Sequence, residues 1–261
     1  MRILPVNAAV NHAVRSAYNN LAMSFHLCWP WLVVLGGLDV ALIWLSGAGP
    51  AASQQANSQV ALAIYFSIAL TLFAGSSIAV NWHRFILKDE VPQGLARLRA
   101  DAVVWRYFGN TLVIVLLAML TILPGIMALS LLGAVIGLTV NAAGVAIAVV
   151  MMAAIMPLIY RWSLKLPAIA LERNDYGLKQ AWLDSQGNHS RLMIIGVGYL
   201  IAMLALGLLA QSVGSLLQGA VGSAAIVFEI FLRLAMNWLG TILAATVLTS
   251  LYGFFVEKRS F

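Results

Sequence analysis

An ionisable side chain inside hydrocarbon costs on the order of 3 kcal/mol, so each one marks a place where chemistry could occur. Asp39 is the sharpest case, standing near the middle of an apolar stretch between Trp29 and Trp44. A carboxyl there must be protonated, paired or set in a wet cavity. It is either a proton or cation site, or a buried group bonded to serines or to an arginine of another helix. Glu229 and Arg233 are four residues apart, in the order that favours an ion pair on one helix face. They read as an interfacial pair, and the alternative is an Asp39–Arg233 pair bridging the first and last spans. Asp39, Glu229 and Arg233 form the candidate intramembrane polar site.

A second group lies at the ends of apolar stretches. His83, Arg84 and Arg161 stand beside aromatic residues, Lys88 and Lys165 follow in Leu-Lys pairs, and all five read as contacts to lipid headgroups. Arg97 and Asp101, one turn apart, read as a pair. The carboxylates Asp89, Glu90, Asp101, Glu172, Asp175 and Asp184 lie among Lys and Arg and read as surface charge balance. His12, His26, His83 and His189 are scattered, with no zinc-ligand spacing. No nucleophile elbow, phosphate loop or dinucleotide loop is present. The single Cys28 excludes an internal disulfide and a cysteine-rich metal site. The expectation is a non-enzymatic chain with no cofactor and no metal.

The elements that position these residues follow from composition. The 261 residues are 62% hydrophobic and 9% charged, with mean hydropathy +0.93. Soluble domains are about 25% charged, so a soluble or disordered chain is excluded and an all-α polytopic membrane protein remains. Six apolar stretches are long enough to span. They run from about Met23 to Trp44, Val60 to Trp82, Asn110 to Leu132, Ala142 to Tyr160, Arg191 to Leu217 and Leu234 to Phe255. Gly133 to Asn141 divides the third from the fourth weakly, with a GxxxG at Gly133 and Gly137. Pro30, Pro124 and Pro157 fall within spans and predict kinks. Polar residues from Asn7 to Asn20 follow Arg2, which is not the pattern of a cleavable signal.

Six spans place 14 of the 15 Lys and Arg on one side, with Arg233 the exception. Both termini are therefore expected in the cytoplasm. The net charge of +6 then belongs to the membrane surface and its anionic lipids rather than to nucleic acid. Trp29, Trp31, Trp82, Trp105, Trp162 and Trp182 fall near that surface, as interfacial indoles do. The opposite connections, Gly49 to Ser58 and Gly214 to Ser223, are short and uncharged.

The cytoplasmic segments echo one another. Gly94-Leu95 precedes Asp101 by the spacing at which Gly177-Leu178 precedes Asp184, and each segment exits through Gly-Asn. Apolar stripes predict amphipathic interfacial helices in three places. They are Val6, Val10, Ala13, Val14, Ala17 and Leu21; then Val91, Leu95, Leu98, Ala102 and Trp105; then Leu178, Ala181, Trp182 and Ser185. The chain is thus one membrane domain, 1–261, with a threefold repeat of helical hairpins as one reading: units 1–82, 83–160 and 161–261. The other reading is that any helix before a positive-inside span looks amphipathic and basic.

Trp82-His83-Arg84-Phe85-Ile86-Leu87, Leu166-Pro167-Ala168-Ile169-Ala170-Leu171, Gly177-Leu178 and Ala181-Trp182 carry a family likeness. They resemble the YciC-like bacterial inner-membrane proteins, and the membrane domain attached to some glycerophosphodiester phosphodiesterases. The resemblance implies a bacterial plasma-membrane location and supplies no catalytic residues. No phosphodiesterase domain accompanies it here. The leading expectation is an accessory, scaffolding or assembly subunit. It would bind anionic lipids of the cytoplasmic leaflet and act in a hetero-complex or homo-oligomer. The alternative is a small transporter or lipid-handling protein that uses Asp39.

Overall fold

The computed structural model describes residues 2–45, 58–135, 140–222 and 225–261. The described residues are helical in nine segments: α1 (Val6–Asn19), α2 (Leu21–Leu45), α3 (Ser58–Lys88), α4 (Ala102–Val135), α5 (Val140–Ser163), α6 (Lys165–Ala170), α7 (Leu178–Asp184), α8 (His189–Val221) and α9 (Ala225–Phe255). A single 3₁₀ turn, Gly94–Arg97, precedes α4. Between its ends a helix pairs its backbone N–H and C=O groups internally, which hydrocarbon demands. Among the described residues, α2, α3, α4, α8 and α9 are long and apolar enough to cross a membrane. α5 is a 24-residue helix packed against α4 and α8. Pro30, Pro124 and Pro157 lie inside α2, α4 and α5, and each helix continues through its proline. Gly137, the 49–57 part of the first far-side connection and Ser223 of the second lie outside the described residues.

The long helices α2–α3, α4–α5 and α8–α9 pair antiparallel. Trp31 Nε1 donates to Ser77 Oγ (3.1 Å) between α2 and α3. Gly125, ten residues before the end of α4, meets Met151, eleven residues into α5. Tyr199 of α8 donates to the Gly240 carbonyl of α9 (3.2 Å), and Gly214 lies beside Glu229 nearer the connection. One end of the bundle therefore gathers the start of α2, the end of α3, the start of α4, the end of α5, the start of α8 and the end of α9.

That end is stitched together. Asn188 Oδ1 accepts from the Leu4 N–H (2.8 Å) and its Nδ2 donates to the Arg2 carbonyl (2.9 Å). Arg2 Nη1 reaches the Phe254 carbonyl (3.0 Å). α6 is a buried plug: Leu166, Pro167, Ala168 and Ala170 are inaccessible and pack on α3, α4 and α9. The interior also holds Ser76, Ser77, Asn81, His83, Thr246, Thr249 and Ser250. The outer surface is apolar: Leu116, Leu120 and Leu123 on α4, and Ile201, Leu204 and Leu208 on α8, are exposed. Apolar outside and polar within is the arrangement that lipid favours.

The expected interfacial helices fare unequally. α1 forms, but its contact face is Ala9, Ala13 and Ala17, which lets it lie close on α9. Val10 and Val14 of the expected stripe stay exposed, bordering an apolar groove of about 250 Å³. No α-helix forms from Val91 to Asp101, where the only regular turn is the 3₁₀ turn at Gly94–Arg97. Ser77 Oγ and Asn81 Nδ2 of α3 donate to the Arg99 and Arg97 carbonyls (2.7 and 3.1 Å) and hold the segment against α3. Asp101 ends the segment by capping α4, accepting from the Val103 and Val104 N–H groups (both 3.1 Å). The matching Asp184 instead closes the short α7, where it accepts from Gln180 Nε2 (3.1 Å). The two echoing segments thus take different local structures. Trp82 is also wholly buried rather than interfacial.

Candidate functional site

Asp39 lies on α2 eight residues past Trp31, roughly 12 Å further along the helix axis. There α2 approaches α9 closely, because Gly36 presents no side chain: a Cβ on it would stand 3.1 Å from Leu234 Cδ1. Across this gap Arg233 Nη2 donates to Asp39 Oδ2 at 2.6 Å. The carboxylate side chain is 10% exposed and the guanidinium 59%. The pair that the structure forms is therefore the bridge between the first and last spans, not Glu229–Arg233. Asp39 is fixed and buried on the facing helix, whereas Glu229 shares the exposed side of α9 and has no ion-pair partner among the described residues.

Glu229 and Arg233 line a cleft of about 560 Å³ between α8 and α9, whose other wall carries Gln211, Gly214, Ser215 and Gln218. Met236 closes this cleft and also borders a second cavity of about 470 Å³. The second cavity is lined by Thr71 and Ser76 of α3, Tyr107 and Thr111 of α4, Tyr199 of α8, and Asn237 and Thr241 of α9. Glu229, Arg233, Asn237 and Thr241 repeat every four residues, so they form one ridge of α9. This polar ridge on the long α9 faces two cavities that share one methionine.

At the basic end the ridge approaches a buried network. His83 is inaccessible, with Nδ1 2.7 Å from Thr249 Oγ1 and Nε2 3.1 Å from the Tyr107 hydroxyl. Thr249 spends its one proton on the Ala245 carbonyl (2.7 Å), so it accepts from Nδ1–H. Nε2 then accepts from Tyr107, which also lines the second cavity. His83 is a neutral internal link and does not touch headgroups.

The other expected headgroup contacts are corrected in part. Arg84 points inward, to Glu90 (2.6 Å), Glu172 (3.1 Å) and the Ala170 carbonyl (3.0 Å). Arg161 is buried, stacked 4.1 Å over Trp182 and donating to the Ser185 carbonyl (3.3 Å). Helix ends leave carbonyls without partners, and these guanidinium groups are within reach of them. Lys88 is exposed and extends Nζ to the Leu171 carbonyl (3.4 Å), while Lys165 is half-buried. Asp101 pairs with Arg99 (2.6 Å) rather than with Arg97. Burial pushes the Asp101 carboxyl up, but the Arg99 hydrogen bond, the two backbone N–H groups and the Arg99 charge more than reverse this and hold it low. The Arg84 hydrogen bond, above all, holds Glu90 below the usual carboxylate range. Among the described residues no group of His, Cys, Asp and Glu is arranged to hold a metal.

No family model, curated protein or solved structure matches this chain. Asn237, Thr241, Tyr199, Gln211 and Gln218 escaped the sequence reading. Counting onward in fours from Glu229 and Arg233 would have found Asn237 and Thr241. The α8 residues carry no such signal, because only the α8–α9 packing makes them face the ridge.

Proposed function

We propose that the protein is a small transporter or lipid-handling membrane protein, with the polar ridge of α9 as the path for a polar solute or headgroup. The observation that carries this is the alignment of Glu229, Arg233, Asn237 and Thr241 along two cavities joined at Met236. Polar groups inside hydrocarbon are retained where they line a route or a site. Met236 is a flexible, polarizable side chain suited to yield as a gate between cavities. Asp39 holds Arg233 in place on the cleft wall. In this reading α5 supplies a sixth crossing, the helical hairpins α2–α3, α4–α5 and α8–α9 make up the bundle, and both termini face the bacterial cytoplasm. The accessory, lipid-binding reading draws less support, because Arg84, Arg161 and His83 turn inward and leave Lys88 and Lys165 for headgroups.

Cysteine substitution along α9 tests the path. Cys28 is fully buried and gives a silent background. A water-soluble methanethiosulfonate reacts with a thiolate, which forms only in a wet environment. In native membranes, cysteines at Arg233, Asn237 and Thr241 are expected to label, and a cysteine at the outward-facing Phe231 is not. Unlabelled ridge positions would reject a polar route.

A further inference from the structure

The cleft at the end remote from the basic face has a charge balance that selects its occupant. Arg233 is neutralised by Asp39 at 2.6 Å. Glu229, one turn earlier on the same wall, has no ion-pair partner among the described residues. The three groups together leave one negative charge, held on Glu229. Around it stand acceptor-bearing groups: the amides of Gln211 and Gln218 and the hydroxyl of Ser215. Ser215 Oγ donates its proton to the Ser212 carbonyl (2.9 Å), so toward the cleft it can only accept. Among the described residues no aromatic ring lines the cleft, so they offer none of the cation–π cage that quaternary ammonium groups need.

We infer that this cleft binds a primary ammonium group, with Glu229 as its counter-ion and Ser215, Gln211 and Gln218 as hydrogen-bond acceptors. The inference rests on the transport reading only for its purpose; binding itself needs no flux. Three N–H donors match a carboxylate with surrounding oxygens, and the Asp39–Arg233 pair keeps the arginine from repelling the cation. Were Asp39 absent, Arg233 would be free to turn to Glu229 in the favourable four-residue spacing and quench the site. A free amine and the ethanolamine headgroup of a phospholipid present the same ammonium chemistry.

The test uses the full chain in nanodiscs of phosphatidylcholine and phosphatidylglycerol, titrated calorimetrically with ethylammonium, tetramethylammonium and acetate. Saturable ethylammonium binding is expected, with tetramethylammonium at least tenfold weaker and acetate silent. Glu229→Gln should weaken ethylammonium at least tenfold at an unchanged unfolding temperature, and Glu229→Asp should retain binding. Asp39→Asn should also weaken it. Equal binding of tetramethylammonium, binding of acetate, or an unaltered Glu229→Gln would overturn the proposal. Adding phosphatidylethanolamine to the nanodiscs separates the two sources: competition marks the lipid, and no competition marks the free amine. Ammonium binding beside unlabelled ridge cysteines would sustain this site and reject the transport route, and the reverse pattern would do the opposite.

Discussion

His83 shows how a residue type misleads until its neighbours are known. Beside Arg84 at a helix end it has the look of a headgroup contact, yet Tyr107 and Thr249 close over it. His83→Ala would leave a cavity and an unpaired Tyr107 hydroxyl. It is expected to cost about 2–4 kcal/mol in detergent unfolding, against about 1–3 for Tyr107→Phe. Equal unfolding temperatures for wild type and His83→Ala would refute the network. Asp101 carries a pH dependence of definite sign. Its folded-state pKa lies below the unfolded value. Its contribution is therefore complete above the unfolded value of about 4 and is lost as pH falls through the lower folded one. Glu90 acts in the same direction through Arg84. A pH titration of unfolding temperature should fall more steeply below about pH 4 in the wild type than in Asp101→Asn.

At the scale of elements, two glycines make opposite demands. A Cβ on Gly196 of α8 would stand 2.6 Å from Met156 Cβ and 3.1 Å from the Tyr160 ring of α5. Both atoms are close to rigid parts, so α5 and α8 would have to separate. A Cβ on Gly125 of α4 would meet only the tip of Met151, at 2.5 Å to Cε, and a methionine tip can rotate away. Gly196→Ala should destabilise by about 1–3 kcal/mol and Gly125→Ala by well under that, read by thermal unfolding of each variant. Neither glycine sits in a motif, so nothing in their spacing distinguishes them; only the partner helix does. The 91–101 segment makes the complementary point. Its apolar residues recur at helical spacing, but Pro92 and the α3 side chains that take its carbonyls draw it into a turn.

For the whole molecule, charge segregation and helix pairing agree on which ends lie together. The Arg2, Asn188 and Phe254 contacts join the chain's beginning, its last loop at that end and its final helix at one face. Lys88→Cys and Lys258→Cys, both exposed, should label from one side of sealed membrane vesicles, and Ser215→Cys from the other. Labelling of Lys88→Cys and Lys258→Cys from opposite sides would break the topology. The apolar outer surface of α4 and α8 agrees with lipid surrounding the bundle.

Composition alone pointed to a helical membrane protein, because a chain with so few charges and so many apolar residues has no stable place in water. Residue spacing was enough to place the long apolar helices, although α4 and α9 begin eight and nine residues before the expected spans, and to mark Asp39, Glu229 and Arg233 as costly groups needing partners. It was also enough to raise the Asp39–Arg233 bridge as an alternative, since a buried carboxylate seeks a cation. Which cation it takes was decided in three dimensions: Gly36 lets α2 close on α9, and the short distance outweighs the local four-residue pairing. The inward turn of His83, Arg84 and Arg161 was decided there too. Sequence reveals that a basic residue ends a helix; whether a free carbonyl or a lipid phosphate lies within its reach depends on how six helix ends converge at one end of the bundle.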